Sequence, residues 1–165
     1  MKKHALQIVR SALDAADPQH AVIRHLESDG QVLTAGKHRY SLNEIERIYV
    51  VGAGKASAGM ASAVERILGR RIASGLVSVP DGVTARVRRS TLHPASHPLP
   101  DERGVAAARQ IAEIARQASA RDLVIAVISG GASALLPAPV PGLSLEQKQS
   151  ITRALINGGA TIHEL

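Results

Sequence analysis

The sequence predicts an α/β fold, and two observations carry that prediction. Short apolar runs alternate with segments of helical periodicity along most of the chain. The runs are continuously apolar, as in residues 123–128, which is typical of parallel strands covered on both faces. We therefore expect a Rossmann-like, mainly parallel sheet flanked by helices, with an N-terminal helical segment and a short hairpin before it. The 165 residues suit one domain or part of a larger protein.

Five helices are predicted from apolar residues at helical spacing and from capping residues. Asp17, Asp101 and Ser144 are suitable N-caps, and Gly69 and Gly158 are suitable C-terminal stops. The predicted helices cover residues 3–16, 18–28, 55–68, 102–118 and 145–157.

The strands are predicted from short apolar runs bounded by glycine or proline. Residues 31–42 have the pattern of a hairpin. Residues 93–101 contain three prolines, so we expect no regular structure there. The remaining predicted strands cover residues 46–52, 75–79, 86–92 and 122–128.

The composition excludes several classes of function. Without cysteine there is no disulfide, thiolate zinc site, iron–sulfur cluster or cysteine nucleophile. With no Phe or Trp and two Tyr, stacking on single-stranded nucleic acid is disfavoured. The net charge of +6 comes from scattered bases, with small clusters at 2–3, 70–71 and 86–89. This charge is consistent with a small anionic substrate, and we expect no nucleic-acid partner.

No apolar run is long enough for a signal peptide or a membrane span. We therefore expect a cytoplasmic protein with no membrane partner.

Two glycine-rich loops, 52–59 and 129–134, each follow a predicted buried strand and precede a predicted helix. Open α/β sheets bind ligands at that edge, so we expect the two loops to lie side by side there. Glycines let the backbone approach an anion closely, and free N–H groups at a helix start supply donors. We also expect the loop around His97-Pro98 to approach these two loops and help close a pocket. The candidate nucleotide- or substrate-binding residues are Gly52, Gly54, Ser57, His97, Ser129, Gly130, Gly131 and Ser133.

Lys55 is the candidate catalytic residue. It stands where a helix is predicted to begin, and a cation there opposes the helix dipole by about 0.3–1 kcal/mol. An anion between Lys55 and the helix would reverse that penalty. The alternative is a solvated lysine in the first helical turn.

Other site types fit the sequence less well. A dinucleotide-binding G-x-G-x-x-G pattern starting at Gly52 has Ser57 in its third glycine position, although Asp81 stands roughly where a ribose-binding acid belongs. Neither a Walker A loop nor a serine-hydrolase elbow is present. His93 and His97, four residues apart outside a helix, do not predict a metal site, and the metal ligands stay unassigned.

Four stretches together resemble the glycerate 2-kinase family, whose full-length chains end in a MOFRL domain and are often labelled hydroxypyruvate reductase. The resemblance covers nearly the whole chain, in order. The four stretches are Val51-Gly52-Ala53-Gly54-Lys55-Ala56 with Met60-Ala61, His97-Pro98-Leu99-Pro100-Asp101, Ser129-Gly130-Gly131-Ala132-Ser133-Ala134-Leu135-Leu136 followed by Pro139, and Leu155-Ile156-Asn157-Gly158-Gly159-Ala160.

The resemblance implies an enzyme that phosphorylates D-glycerate at its 2-hydroxyl with ATP and Mg²⁺ or another divalent cation. It also implies a catalytic, phosphate-stabilising role for Lys55 and an active-site position for 129–133. Family members are longer, so residues 1–165 are expected to be an N-terminal α/β domain without the C-terminal domain and its catalytic arginine, inactive alone. The oligomeric state is left open, a homo-oligomer included.

Two alternatives stay open from the sequence. One is an NAD(P)-dependent hydroxypyruvate reductase. The other is a non-catalytic module that binds a phosphorylated ligand through the same loops.

Overall fold

The computed structural model describes residues 2–161, without the side chain of Lys2. The helices are α1 (Lys2–Ala15), α2 (Pro18–His25), α3 (Ser57–Leu68), α4 (Glu102–Gln117), α5 (Ala132–Leu135) and α6 (Leu145–Asn157). The strands are β1 (Leu26–Ser28), β2 (Val32–Ala35), β3 (His38–Ser41), β4 (Ile48–Ala53), β5 (Ile72–Pro80), β6 (Ser90–Ala95) and β7 (Leu123–Ile128).

The predicted α/β fold is confirmed by a four-stranded, all-parallel sheet in the order β6-β5-β4-β7. The chain moves from β4 through β5 to β6 in one direction, and α4 then leads back to β7 on the far side of β4. Crossovers between parallel strands are right-handed as a rule, so α3 and α4, which both contact β4 and β5, belong to opposite faces of the sheet. The direction of winding therefore reverses between β4 and β7, which makes that gap the topological switch point of the sheet.

The main core lies between the sheet and α3. It is aliphatic, because the chain has almost no aromatic residues, and every residue of β4 is buried. A smaller cluster around Leu135 packs beneath the second loop. The buried residues of the main core include Ile48, Val50, Ala61, Val64, Leu68, Ile72, Val77 and Val127.

The N-terminal hairpin is confirmed and is larger than the sequence predicts. β2 and β3 pair around a turn at Gly36, and β1 pairs with β2 to give a three-stranded antiparallel sheet. The second helix was predicted to extend to about residue 28, but it ends at His25 because Leu26 adopts an extended conformation and pairs with Ala35. Pairing between strands thus overrides the local helical pattern there.

Two further boundaries differ from the predictions. Residues 93–95 were expected to be irregular, yet β6 includes Pro94, because β6 is an edge strand and pairs with β5 only. The third helix begins at Ser57, with Ala56 at its N-cap, so Lys55 lies in the loop before the helix. Among the described residues, no helix has both the length and the apolar character needed to cross a membrane.

Candidate functional site

The two glycine loops lie side by side at the switch point of the sheet. β4 and β7 pair in register through their last residues, Ala53 and Ile128, so the loops after them leave the same edge together. The N–H of Ser129 donates to the carbonyl of Ala53, and the N–H of Lys55 donates to the carbonyl of Gly130, at 3.1 and 3.0 Å. The predicted meeting of the two loops is therefore confirmed by direct hydrogen bonds.

Ser129 joins the two loops through its side chain. Its Oγ accepts a hydrogen bond from the N–H of Ala56 at 3.0 Å and lies 3.1 Å from Oγ of Ser57. Ser57 is fully buried, and its hydroxyl donates to the carbonyl of Ala53 at 2.8 Å. Both hydroxyl groups thus bind protein atoms and fix the start of α3 against the end of β7.

Glycines 52 and 54 are required by the closeness of the loops. A Cβ on Gly52 would overlap the carbonyl oxygen of Val127, and a Cβ on Gly54 would overlap Oγ of Ser129. Gly54 also has a φ of +135°, which an L-amino acid rarely adopts. Gly52 therefore permits the close approach of β4 to β7, and Gly54 permits the contact between the loops that follow these strands.

The first loop uses its backbone N–H groups internally. Those of Gly54 and Lys55 donate to carbonyls, that of Ala56 donates to Ser129 Oγ, and that of Ser57 donates to the carbonyl of Gly54. The sequence predicted free donors at the start of this helix. The N–H groups of residues 54–57 are instead occupied, so this loop offers the exposed side chain of Lys55.

The second loop has the opposite character. Among the hydrogen bonds of residues 2–161, none uses the N–H of Gly130, Gly131, Ala132 or Ser133 as donor. Gly131 adopts the left-handed conformation, with φ +91° and ψ 0°. Consecutive free N–H groups around a left-handed residue form a concave site that suits an anion.

Lys55 and His97 pack against that second loop. A Cβ on Gly131 would lie 2.9 Å from the His97 ring and 3.4 Å from Cγ of Lys55, and one on Gly130 would lie 4.0 Å from Cε of Lys55. Both side chains therefore lie along the glycines, which leave room for them. Lys55, His97 and the 130–133 loop form one cluster, as the sequence predicted for their positions.

A cavity of about 220 Å³ opens beside this cluster. His97, Gly131 and Ser133 line one part of it, and α6 contributes Lys148. Lys148 was not among the residues predicted from the sequence, because on its own it has the pattern of a solvated helix residue. The link that brings α6 here is a long-range hydrogen bond from Nε2 of Gln149 to the carbonyl of Pro100, at 2.8 Å.

Asp81 is engaged elsewhere. Its carboxylate accepts two hydrogen bonds from the guanidinium of Arg103, at 2.6 and 2.8 Å, and this partner lowers the pKa of Asp81. Arg103 also binds Asp101, the N-cap of α4. Asp81 therefore ties the end of β5 to the start of α4.

Gly59, the glycine that follows the imperfect G-x-G pattern, lies inside α3. A Cβ there would lie 2.9 Å from the Pro18 ring, so this glycine allows α2 and α3 to approach closely.

Metal ligands do not gather in the described part of the chain. No group of three or more Asp, Glu or His side chains within residues 2–161 is arranged to hold a metal ion.

The chain is a Rossmann-like α/β domain. This class is defined by its sheet order, its crossover connections and the two loops at the switch point. A family profile described as a domain of unknown function, DUF4147, matches residues 4–165, and the chain belongs to that family.

Similarity over the whole of this chain links it to glycerate kinases. It is 39% identical to glycerate kinase of Rattus norvegicus over 181 residues, and 35% identical to glycerate 2-kinase of Pyrococcus horikoshii over 167 residues. Each alignment covers 100% of this chain but 34% and 37% of those proteins, respectively. An Agrobacterium vitis protein whose name provisionally assigns it to the hydroxypyruvate reductases is 43% identical over 119 residues, covering 72% of this chain and 31% of that protein.

Two crystal structures share the fold. A protein from Pyrococcus horikoshii superposes with a TM-score of 0.85 at 32% identity, and glycerate kinase from Thermotoga maritima with a TM-score of 0.77 at 31% identity. Each comparison covers 98% of this chain and 36% of the other. The predicted resemblance to the glycerate kinases is thus confirmed, and the chain spans about a third of the length of these relatives.

Proposed function

We propose that this chain supplies one side of the active site of a kinase that transfers the γ-phosphoryl group of ATP to the 2-hydroxyl of D-glycerate. The observation that carries the proposal is the meeting of the two loops at the switch point, with Lys55 beside the free N–H groups of residues 130–133. The names of the full-length relatives supply the reaction and the substrate.

Phosphoryl transfer suits the chemistry of this cluster. The transferring group carries negative charge on its oxygens, and catalysis depends on positioning and charge neutralisation more than on a covalent nucleophile. In the proposal, the N–H groups of residues 130–133 bind phosphate oxygens and Lys55 neutralises the charge that develops there. Fixed donors of this kind need no reorganisation during the reaction.

The cavity beside His97 suits the acceptor substrate. Its volume of about 220 Å³ is sufficient for a small hydroxy acid, and Lys148 is a cation at its wall. We assign Lys148 to the glycerate carboxylate, and His97 and Ser133 to hydrogen bonds with the hydroxyl groups. The site then holds the acceptor next to the phosphate-binding loop.

Gly52, Gly54, Ser57 and Ser129 have a positioning role in this proposal. Gly52 and Ser57 are buried, and Ser129 is bonded to the first loop. Their contribution is to hold Lys55 against the 130–133 loop.

We assign the divalent cation to no particular residue, because no group of three or more Asp, Glu or His side chains within residues 2–161 is arranged to hold it. We also propose that residues 1–165 alone do not catalyse this reaction. Aligned relatives are about three times longer, and the proposed site lies on an open sheet edge where further residues are needed to surround a nucleotide.

A hydroxypyruvate reductase is the second candidate, favoured by the name of the Agrobacterium vitis relative. Two observations weigh against it. Asp81, the candidate ribose acid, is paired with Arg103, and Gly59 serves helix packing.

The two candidates are separated by assays of a full-length protein that contains this chain. The kinase proposal predicts ADP release that requires both ATP and D-glycerate, and no oxidation of NADH or NADPH by hydroxypyruvate. Cofactor oxidation without ADP release would establish the reductase instead. Binding of ATP without either reaction would leave a non-catalytic binding module.

A further inference from the structure

The two arginine clusters noted in the sequence converge on one cavity in the structure. The cavity has a volume of about 500 Å³ and lies between α3 and the segment before β6. It is lined by five arginines and a single acid, Glu65, together with Ser62 and Gly69. The five arginines are Arg66, Arg70, Arg86, Arg88 and Arg89.

These guanidinium groups lack acidic partners. Within residues 2–161, the arginines that form ion pairs are Arg47, Arg103, Arg116 and Arg121, and none of them lines this cavity. The carboxylate of Glu65 is itself engaged, since it accepts hydrogen bonds from the backbone N–H groups of Arg88, Arg89 and Ser90 at 2.6, 3.0 and 2.6 Å. The cavity therefore has a large excess of positive charge.

The backbone that carries the arginines is fixed to α3. Oγ of Ser62 donates to the carbonyl of Arg86 at 2.9 Å, and the carboxylate of Glu65 accepts from the N–H groups of residues 88–90. Glu65 and Arg66 lie three and four residues after Ser62, on one face of α3, and Gly69 is the C-cap of that helix. The arginines of the two elements are thus held facing one cavity before any ligand binds.

We infer that this cavity binds a small anion with two or more phosphate groups. Guanidinium groups form paired hydrogen bonds with phosphate oxygens, and several of them around one cavity match several phosphates. The volume lies in the range of small-molecule sites. A nucleic acid would require a basic stripe along an extended surface, whereas these five arginines gather around one concavity.

Inorganic triphosphate is a suitable probe, used with the 165-residue chain in isothermal titration calorimetry. Low salt, about 50 mM, limits screening of these exposed charges. We expect a complex with a Kd below about 1 mM. The double variant Arg70→Gln/Arg88→Gln should raise this Kd at least roughly tenfold. The loss of one hydrogen bond to a charged group weakens binding by about that factor. Both residues are exposed, so folding should be unchanged.

Two controls locate the binding. Arg10→Gln/Arg109→Gln removes the same charge from exposed positions outside the cavity and should leave the affinity within about twofold. Lys55→Ala tests the glycine loops, which are also proposed to bind phosphate, and the arginine-dependent binding should persist in it.

Several results would overturn the inference. One is the absence of triphosphate binding, and another is equal weakening in the two double variants, which would indicate non-specific attraction to a basic protein. Loss of all binding in Lys55→Ala would place the anion at the glycine loops. Tighter, arginine-dependent binding of duplex DNA or polyaspartate than of triphosphate would assign the cavity to a macromolecule.

Discussion

Gly54 and Ser129 show how single residues determine the geometry of the candidate site. Gly54 has no Cβ and adopts φ +135°, which allows the hydroxyl of Ser129 to reach the N–H of Ala56. A side chain at position 54 would occupy the place of that hydroxyl. Lys55 follows directly, so its position depends on this contact.

Gly54→Ala should therefore destabilise the chain. The unfavourable backbone conformation costs about 1–3 kcal/mol, and overlap with Ser129 adds a penalty of similar size. Urea denaturation measures this loss against the wild type. Gly36→Ala is a matched control, since it also has positive φ but open space around its Cβ position. Equal losses in the two variants would show that the contact with Ser129 has no added effect.

Sequence alone located most of these residues but not their roles. Glycine and serine after a buried strand predict a ligand loop in both cases, yet the structure uses Gly52, Gly54, Ser57 and Ser129 to join the loops. That distinction depends on the pairing of β4 with β7, whose residues are more than 70 positions apart. Lys148 and the arginine cavity were missed because each depends on a tertiary contact, from α6 to Pro100 in one case and from α3 to residues 86–90 in the other.

At the level of elements, Glu65 connects α3 to the segment before β6. Burial raises the pKa of its carboxyl group, but the hydrogen bonds from three backbone N–H groups outweigh this effect and lower the pKa. The helix therefore provides an acceptor for the N–H groups of Arg88 and Arg89, which precede β6, and of Ser90, the first residue of β6.

Glu65→Gln should lower the stability. Oε2 accepts a hydrogen bond from the N–H of Arg88. In glutamine, Nε2 at this position would be a second donor facing that N–H, so the hydrogen bond would be lost. The loss of this charged acceptor should cost about 1.5–3 kcal/mol. Thermal or urea unfolding measures it, and Glu44→Gln, an exposed glutamate, is the control. Unchanged stability in Glu65→Gln would mean that the segment does not depend on this carboxylate.

Asp122 connects the starts of β4 and β7. Its side chain is fully buried and accepts hydrogen bonds from Arg47, at 3.0 and 2.8 Å, and from the N–H of Ser119, at 2.7 Å. The hydrogen bonds from Arg47 are the largest cause of a lowered pKa, about 2 against an ordinary value of 3.8. Because the folded value is the lower one, this carboxylate stabilises the fold above pH 3.8 and loses its effect toward about pH 2.

Asp122→Asn should therefore make stability less dependent on pH between 3.8 and about 2, and lower the stability at neutral pH. Urea titrations at several pH values in this range provide the test. Asp14→Asn, a substitution of an exposed acid, is the control. If the free energy of unfolding changes with pH equally in Asp122→Asn and in the wild type, Asp122 does not have this role.

For the whole molecule, the sequence predicts the fold class but not which strands of the sheet are covered. Continuous apolar runs predict a parallel sheet, and β4 fits that prediction because all its residues are buried. β7 does not, since it is an edge strand and Ile128 is 54% exposed. Apolar runs indicate which residues can be buried; whether another element covers them depends on the sheet order.

The open edge beside β7 also bears on activity. The 165-residue chain should fold and yet give no ADP release with ATP and D-glycerate, because the proposed site is exposed on one side. A longer protein that contains this chain should be active under the same conditions. Sustained ADP production by the 165-residue chain, in a preparation tested free of other kinases, would show that the site is complete without further residues.

The proposed binding of the transferring phosphoryl group by Lys55 and the 130–133 loop is tested by the kcat of Lys55→Ala in an active full-length protein. We expect kcat to fall by roughly 100- to 1,000-fold with unchanged thermal stability, since one fixed electrostatic contact is lost. Lys55→Arg should recover part of the rate, because it keeps the charge with another geometry. Lys37→Ala, at an exposed turn, should leave kcat unchanged. A near-normal kcat in Lys55→Ala would show that Lys55 does not neutralise charge on the transferring phosphoryl group.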